Sequence, residues 1–121
     1  MTTLSTVLEL VIALGVFNVW LLRFGKSSPW RGGAAQNMTE EFATYGLPSW
    51  FMRFIGFLKI SLATLLIVGV WIPDVTLYAA LGMVALMLGA VAMHFKVGDP
   101  LRKSLPAISM LTMSAVVAFA A

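Results

Sequence analysis

The chain has 121 residues, 60% of them hydrophobic and 11% charged, with a formal net charge of +3. Its mean hydropathy is +0.95, and since soluble domains are about a quarter charged, a fold in water would lack the polar surface to cover its core. Cysteine is absent, which excludes disulfides, thiolate nucleophiles and cysteine-ligated clusters; one histidine makes a poor metal site, and eight basic residues beside apolar spans argue against nucleic acid as a partner.

Crossing about 30 Å of hydrocarbon at about 1.5 Å per residue takes about 20 apolar residues in a helix. Residues 4–24 meet that length, with Glu9 and Asn18 as strongly polar members inside the run. Residues 1–8 lack the basic start of a secretory signal and the apolar run is too long for one, so this helix is expected to be retained. A longer connection, residues 25–49, follows. In it Asn37 precedes Met38, Thr39 and Glu40 as an N-cap precedes its third-position glutamate. Met38, Phe42 and Tyr45 then fall at i, i+4 and i+7, and Gly46 with Pro48 ends the pattern. Residues 38–45 are thus expected to form two turns of amphipathic helix on the bilayer surface, with Glu40 and Glu41 on the solvated face.

Residues 50–71 form the second expected span, with Arg53 near one end and Lys59 in the middle. Pro73 and Asp74 mark a tight turn at 71–75, which makes the second and third spans an antiparallel hairpin. The third span, residues 75–95, has no charged side chain and only His94 close to its end. Ala79, Gly82, Ala85 (or Leu86), Gly89 and Ala92 recur along it at steps of three and four. That stripe reads as a packing face; a dimer interface or a groove for a lipid-like ligand are the alternatives. Met83, Met87, Met93, Met110 and Met113 read as adaptable filler, with moulding around a ligand as the alternative. A polar loop at 95–104 leads to the last span, residues 105–121, which opens with Pro106 and lies at the short limit for a full crossing. The expected fold is therefore all-α: an integral membrane four-transmembrane-helix bundle, one domain over residues 1–121, with a short amphipathic surface helix between the first and second spans.

Seven of the eight basic residues fall in two connections: Arg23, Lys26, Arg31 and Arg53 in the first, Lys96, Arg102 and Lys103 in the third. The positive-inside rule places those connections in the cytoplasm and both termini outside, in a multi-pass protein of the cell inner membrane. Trp20, Trp30, Trp50 and Trp71 sit near span ends, as interfacial aromatic belts do.

An ionisable side chain within a span costs several kcal/mol or so unless it is paired or solvated. Lys59 falls ~2–3 Å from the midplane, with Glu9 and Asn18 each ~7 Å away toward opposite sides. Nine residues separate Glu9 from Asn18, which puts them on opposite helix faces; only one of them can share the interior with Lys59. The set Glu9, Asn18 and Lys59 reads either as a structural pair or as a polar pocket for a headgroup, a quinone-like ring or a proton. A second candidate cluster, His94, Lys96, Asp99 and Arg102, lies at the inner mouth of the third and fourth spans. There His94 and Lys96 suit a helix C-terminus, while His94 with Asp99 also suits acid–base work or anionic-lipid binding.

Two stretches carry a family resemblance. One is Asn37-Met38 through Phe42, then Tyr45-Gly46-Leu47-Pro48 and Gly56-Phe57-Leu58-Lys59; the other is Met87-Leu88-Gly89-Ala90-Val91-Ala92-Met93-His94-Phe95-Lys96 followed by Asp99-Pro100. Together they resemble the DoxX-like family of small four-helix membrane proteins. The resemblance implies a membrane fold with few assigned activities, among relatives that include subunits of a thiosulfate:quinone oxidoreductase, components of oxidative-stress membrane complexes and assembly factors. It also implies an acid at the position of Lys59 in much of the broader group, so a role resting on that acid does not transfer. The expectation is an accessory or scaffold subunit binding a lipid-like molecule or a protein partner. The alternatives are the membrane component of a quinone-linked oxidoreductase, or a small oligomeric transporter or channel module. Quinone or lipid is the expected ligand, and the bilayer, a homo-oligomer or a larger complex the expected surroundings.

Overall fold

A computed structural model describes residues 3–121; Met1 and Thr2, the start of the segment weighed as a secretory signal, lie outside the described residues. The described residues are helical throughout their regular structure, in the order α1 (Thr3–Phe17), α2 (Met38–Thr44), α3 (Ser49–Val68), α4 (Thr76–Lys96) and α5 (Leu105–Ala120). α1 runs on into a wider π-helical turn, Asn18–Leu22, closed by the Arg23 N–H donating to the Asn18 carbonyl at 2.9 Å. A single turn of 3₁₀ helix, Leu101–Ser104, leads into α5. Four helical stretches are then long and apolar enough to cross a membrane: Thr3–Leu22, Ser49–Val68, Pro73–Lys96 and Leu101–Ala120. The last gains its length from the 3₁₀ turn, which sequence patterning assigns to the polar loop. Twenty residues then suffice for a crossing.

Neighbours in the bundle run α1, α3, α4, α5 and back to α1, each packing on the next. The core of their contact holds Ile12, Ala13, Ala63, Leu66, Met83 and Val117. Between apolar helices in lipid no hydrophobic drive remains, so close approach does the holding. At Gly56, for instance, an added Cβ would lie 2.7 Å from the Trp20 ring. Trp20 is accordingly buried, a correction to its reading as a belt residue, whereas Trp30, Trp50 and Trp71 are exposed.

The small-residue stripe of α4 divides. Ala79 is buried and Gly82 backs onto Leu62, but Ala85, Gly89 and Ala92 are exposed and nothing lies within 4 Å of a Cβ built on Gly89. Packing partners chosen for α4 therefore follow Thr76, Ala80, Met83 and Met87 as the helix proceeds, not the smallest side chains. The second span also ends earlier than its apolar run, since Val68 hands over to a turn at Gly69 whose carbonyl accepts from the Thr76 hydroxyl at 3.3 Å.

A candidate ligand cavity at the basic end of the bundle

Two helices finish in the same way at the end that holds both basic connections. α2 passes through Gly46 at φ +78°, with the Leu47 N–H on the Phe42 carbonyl (2.9 Å) and the Gly46 N–H on that of Ala43 (3.0 Å). α4 repeats this at Gly98 (φ +73°), with the Asp99 N–H on the His94 carbonyl (3.0 Å) and the Gly98 N–H on that of Phe95 (3.1 Å). This is the Schellman arrangement, and it turns the chain back over its own last turn. Asp99 is thereby returned to His94, its Oδ2 2.7 Å from Nδ1. Its other oxygen accepts the Gly33 N–H at 2.9 Å and lies 3.9 Å from Lys103 Nζ. Burial pushes the Asp99 carboxyl up, but the His94 and Gly33 hydrogen bonds and the His94 and Lys103 charges outweigh it and hold the group below the usual carboxylate range.

Of the four residues grouped at this mouth from sequence, His94 and Asp99 meet. Lys96 turns away from its own helix end and donates to the Tyr45 carbonyl at the end of α2 (2.7 Å). Arg102 is exposed and has no hydrogen bond or ion pair among the described residues. Lys103, which was not among the four, lies beside Asp99 instead, and it also donates to the Gly33 carbonyl at 2.6 Å.

Sequence reasoning used Arg31 only as a topological charge. The fold buries it, with its guanidinium donating to the carbonyls of Arg23 (2.7 Å), Phe24 (3.3 Å) and Lys26 (2.9 Å) and to Glu41 Oε2 (3.0 Å). It thus takes up carbonyls left open where the first span ends. Glu41 is consequently not part of a solvated face, which corrects the reading above: its second oxygen accepts the Tyr45 hydroxyl at 3.0 Å. Burial first, then the charge and hydrogen bond of Glu41, push the Tyr45 hydroxyl above its ordinary range, so it keeps its proton. Glu40 remains exposed, and the Asn37 cap is made as expected, Oδ1 accepting the Glu40 N–H at 2.8 Å. A five-donor guanidinium satisfying a chain reversal has no short-range sequence signal, and nothing in the spacing of Arg31 would have marked it.

Beneath this cap lies a cavity of about 380 Å³, walled by all four long helices and closed by the connection around α2. Trp20, Phe42 and Tyr45 form one side as successive rings 5.9 and 6.1 Å apart, and the series continues to His94 at 6.0 Å. Met87, Met93 and Met110 line the other side. Ala85, Gly89 and Pro106 both line the cavity and are exposed, so it is open along α4 and α5. Lys59 reaches into it from α3, with Nζ 5.5 Å from the centroid of the Trp20 ring. Lys59 has no hydrogen bond or salt bridge among the described residues.

Glu9 and Asn18 divide as the helical wheel requires. Glu9 is fully buried and Asn18 exposed. Yet Glu9 does not reach Lys59: neither carboxylate oxygen has a hydrogen-bonding partner among the described residues, and it is absent from the cavity wall. Ser114 Oγ on α5 is likewise buried without a partner. Glu9, Asn18 and Lys59, a candidate set in which one of the first two was expected beside Lys59, therefore occupy three different surroundings.

The fold and its four apolar helices define a multi-pass, all-helical membrane protein. A family model described as the DoxX-like family matches residues 19–118, and the chain belongs to that family. The match runs from the π-helical turn through nearly all of α5 and so includes every residue of the cavity beyond Gly15 and Val16. No curated protein and no solved structure matches the chain.

Proposed function

We propose that this protein is an accessory subunit of the cell inner membrane that holds one lipid-like molecule, with the apolar body among the helices and the polar head at Lys59. The observation that carries this reading is Lys59 itself. A lysine within a span costs several kcal/mol or so unless something meets its charge, and among the described residues the direct contact that Lys59 makes is with the face of Trp20. Cation–π attraction supplies about 1–2 kcal/mol, less than that cost. A cavity of about 380 Å³ falls in the range of small-molecule sites, and its apolar wall with few convergent polar groups has their usual character.

Orientation follows from charge. Arg23, Lys26, Arg53, Lys96 and Arg102 are exposed at the cavity end of the bundle, which supports placing that end in the cytoplasm. A quinone is the second reading, favoured by the aromatic run from Trp20 to His94, which suits a flat ring.

Native mass spectrometry of gently extracted protein tests the proposal. A bound small molecule at one per chain is expected, lost in Lys59→Ala. Ligand-free protein, or a ligand retained undiminished in that variant, would remove the basis for the reading. Solvent extraction followed by an ultraviolet spectrum separates a quinone from an aliphatic lipid.

A further inference from the structure

We infer that the head of the bound molecule carries a single negative charge, and that the ligand is a single-chain aliphatic carboxylate with Lys59 as its counter-ion. The inference rests on the ligand-binding reading above and adds the charge class. It comes from asking, of each charged side chain on the cavity wall, what already satisfies it. Arg31 is committed to three carbonyls and to Glu41. Arg23 donates to the Ser27 carbonyl and is exposed. Lys103 serves the Gly33 carbonyl and Asp99.

The acids of the cap are equally committed. Glu41 lines the cavity, but one oxygen accepts from Arg31 and the other from the Tyr45 hydroxyl. Asp99 is taken by His94 and Gly33. Glu9 lies fully buried away from the cavity wall. Every carboxylate within the cap thus has its partners, and Lys59 is the one charged side chain on the cavity wall with neither a hydrogen bond nor an ion pair among the described residues. A neutral carbonyl would give Lys59 an acceptor and leave its charge uncompensated. A carboxylate gives both, and a charge-assisted hydrogen bond is about twice as strong as a neutral one.

Size and shape narrow the class further. The cavity, about 380 Å³, is at the low end for small-molecule sites, which suits one chain and not the two of a phospholipid. Its opening past Ala85, Gly89 and Pro106 lets the tail of a longer chain pass out between helices. Met87, Met93 and Met110 supply the adaptable wall that a flexible chain needs.

The test compares hexadecanoate with methyl hexadecanoate and 1-hexadecanol, chains matched in length and differing in head charge. Binding to the full chain in neutral-lipid nanodiscs is measured near pH 8, where the acid is ionised. Hexadecanoate should bind at least about tenfold more tightly than either uncharged probe, the scale of one unit-charge contact at a partly buried site. Lys59→Met should bring the three within about threefold of one another, while Lys59→Arg should keep the preference, since the charge is retained. Equal or tighter binding of an uncharged probe by the wild-type protein overturns the inference even if Lys59→Met fails to fold. In that outcome binding itself survives, and the ligand is neutral. Absence of binding by all three probes, in protein that also extracts without any small molecule, sinks the ligand reading as a whole.

Discussion

Replacing Arg31 with Met should release the first connection from the bundle, and the size of the effect follows from its contacts. The guanidinium is buried and holds three carbonyls and the Glu41 carboxylate at 2.7–3.3 Å. Methionine fills similar volume but leaves Glu41 charged, partly enclosed and deprived of its ion pair. Breaking such a pair from one side costs roughly 3 kcal/mol. The loss falls locally, because α2 touches the spans mainly through Met38, Phe42 and Tyr45, while the long helices keep their own contacts. Opening of the connection should then be about 100-fold more populated, by the same 3 kcal/mol. Hydrogen exchange reads this directly at the Met38 amide, which donates to the Phe24 carbonyl at 2.9 Å across the end of the first span. Its exchange should accelerate by about that factor, with amides in the middle of α3 and α4 unchanged. Arg31→Lys should fall between the two, because an ammonium keeps the charge without the planar fork. Unchanged protection at Met38 in the Met variant would refute the claim that Arg31 pins the connection.

Gly98→Ala should cost about 1–2 kcal/mol, since φ is +73° there and nothing within 4 Å would contact the new Cβ, so the whole penalty is backbone strain; equilibrium unfolding compared with Gly25→Ala, a site equally open but without that φ, isolates it. Gly56→Ala should destabilise by about 1–3 kcal/mol through overpacking, because the methyl meets the Trp20 ring at 2.7 Å, and Trp20 fluorescence should shift with it. Asp99 supplies a pH dependence with a definite sign. Its folded value lies below the ordinary 3.8, so its contribution is complete above that value and is lost as pH falls through the folded one. Acid unfolding of Asp99→Asn should accordingly show a shallower loss of stability below pH 3.8 than the wild-type protein. Equal slopes for the two would contradict the His94–Asp99 geometry.

Membership in the DoxX-like family was legible in the residues around Tyr45 to Lys59 and Met87 to Pro100, and the two stretches turn out to share one location. Tyr45 reaches His94 through ring contact and Lys96 through its carbonyl. Linear spacing could show that each stretch was unusual but not that they met, because 51 residues separate Lys96 from Tyr45.

What the sequence determined by itself is everything governed by local pattern: the four apolar lengths, the hairpin at Pro73, the Asn37 cap, the end of the short helix at Gly46, and the opposition of Glu9 to Asn18. Each depends on a solvent preference or a dihedral angle that residues within a turn or two decide. Tertiary structure alone decided that Arg31 and Glu41 are internal, that Trp20 backs onto Gly56 in place of the membrane surface, and that Lys59 faces the cavity without Glu9. Those outcomes turn on which long side chains find partners across helices. A long polar side chain is free to be solvated, paired or bent aside, and only the assembled neighbours remove that freedom.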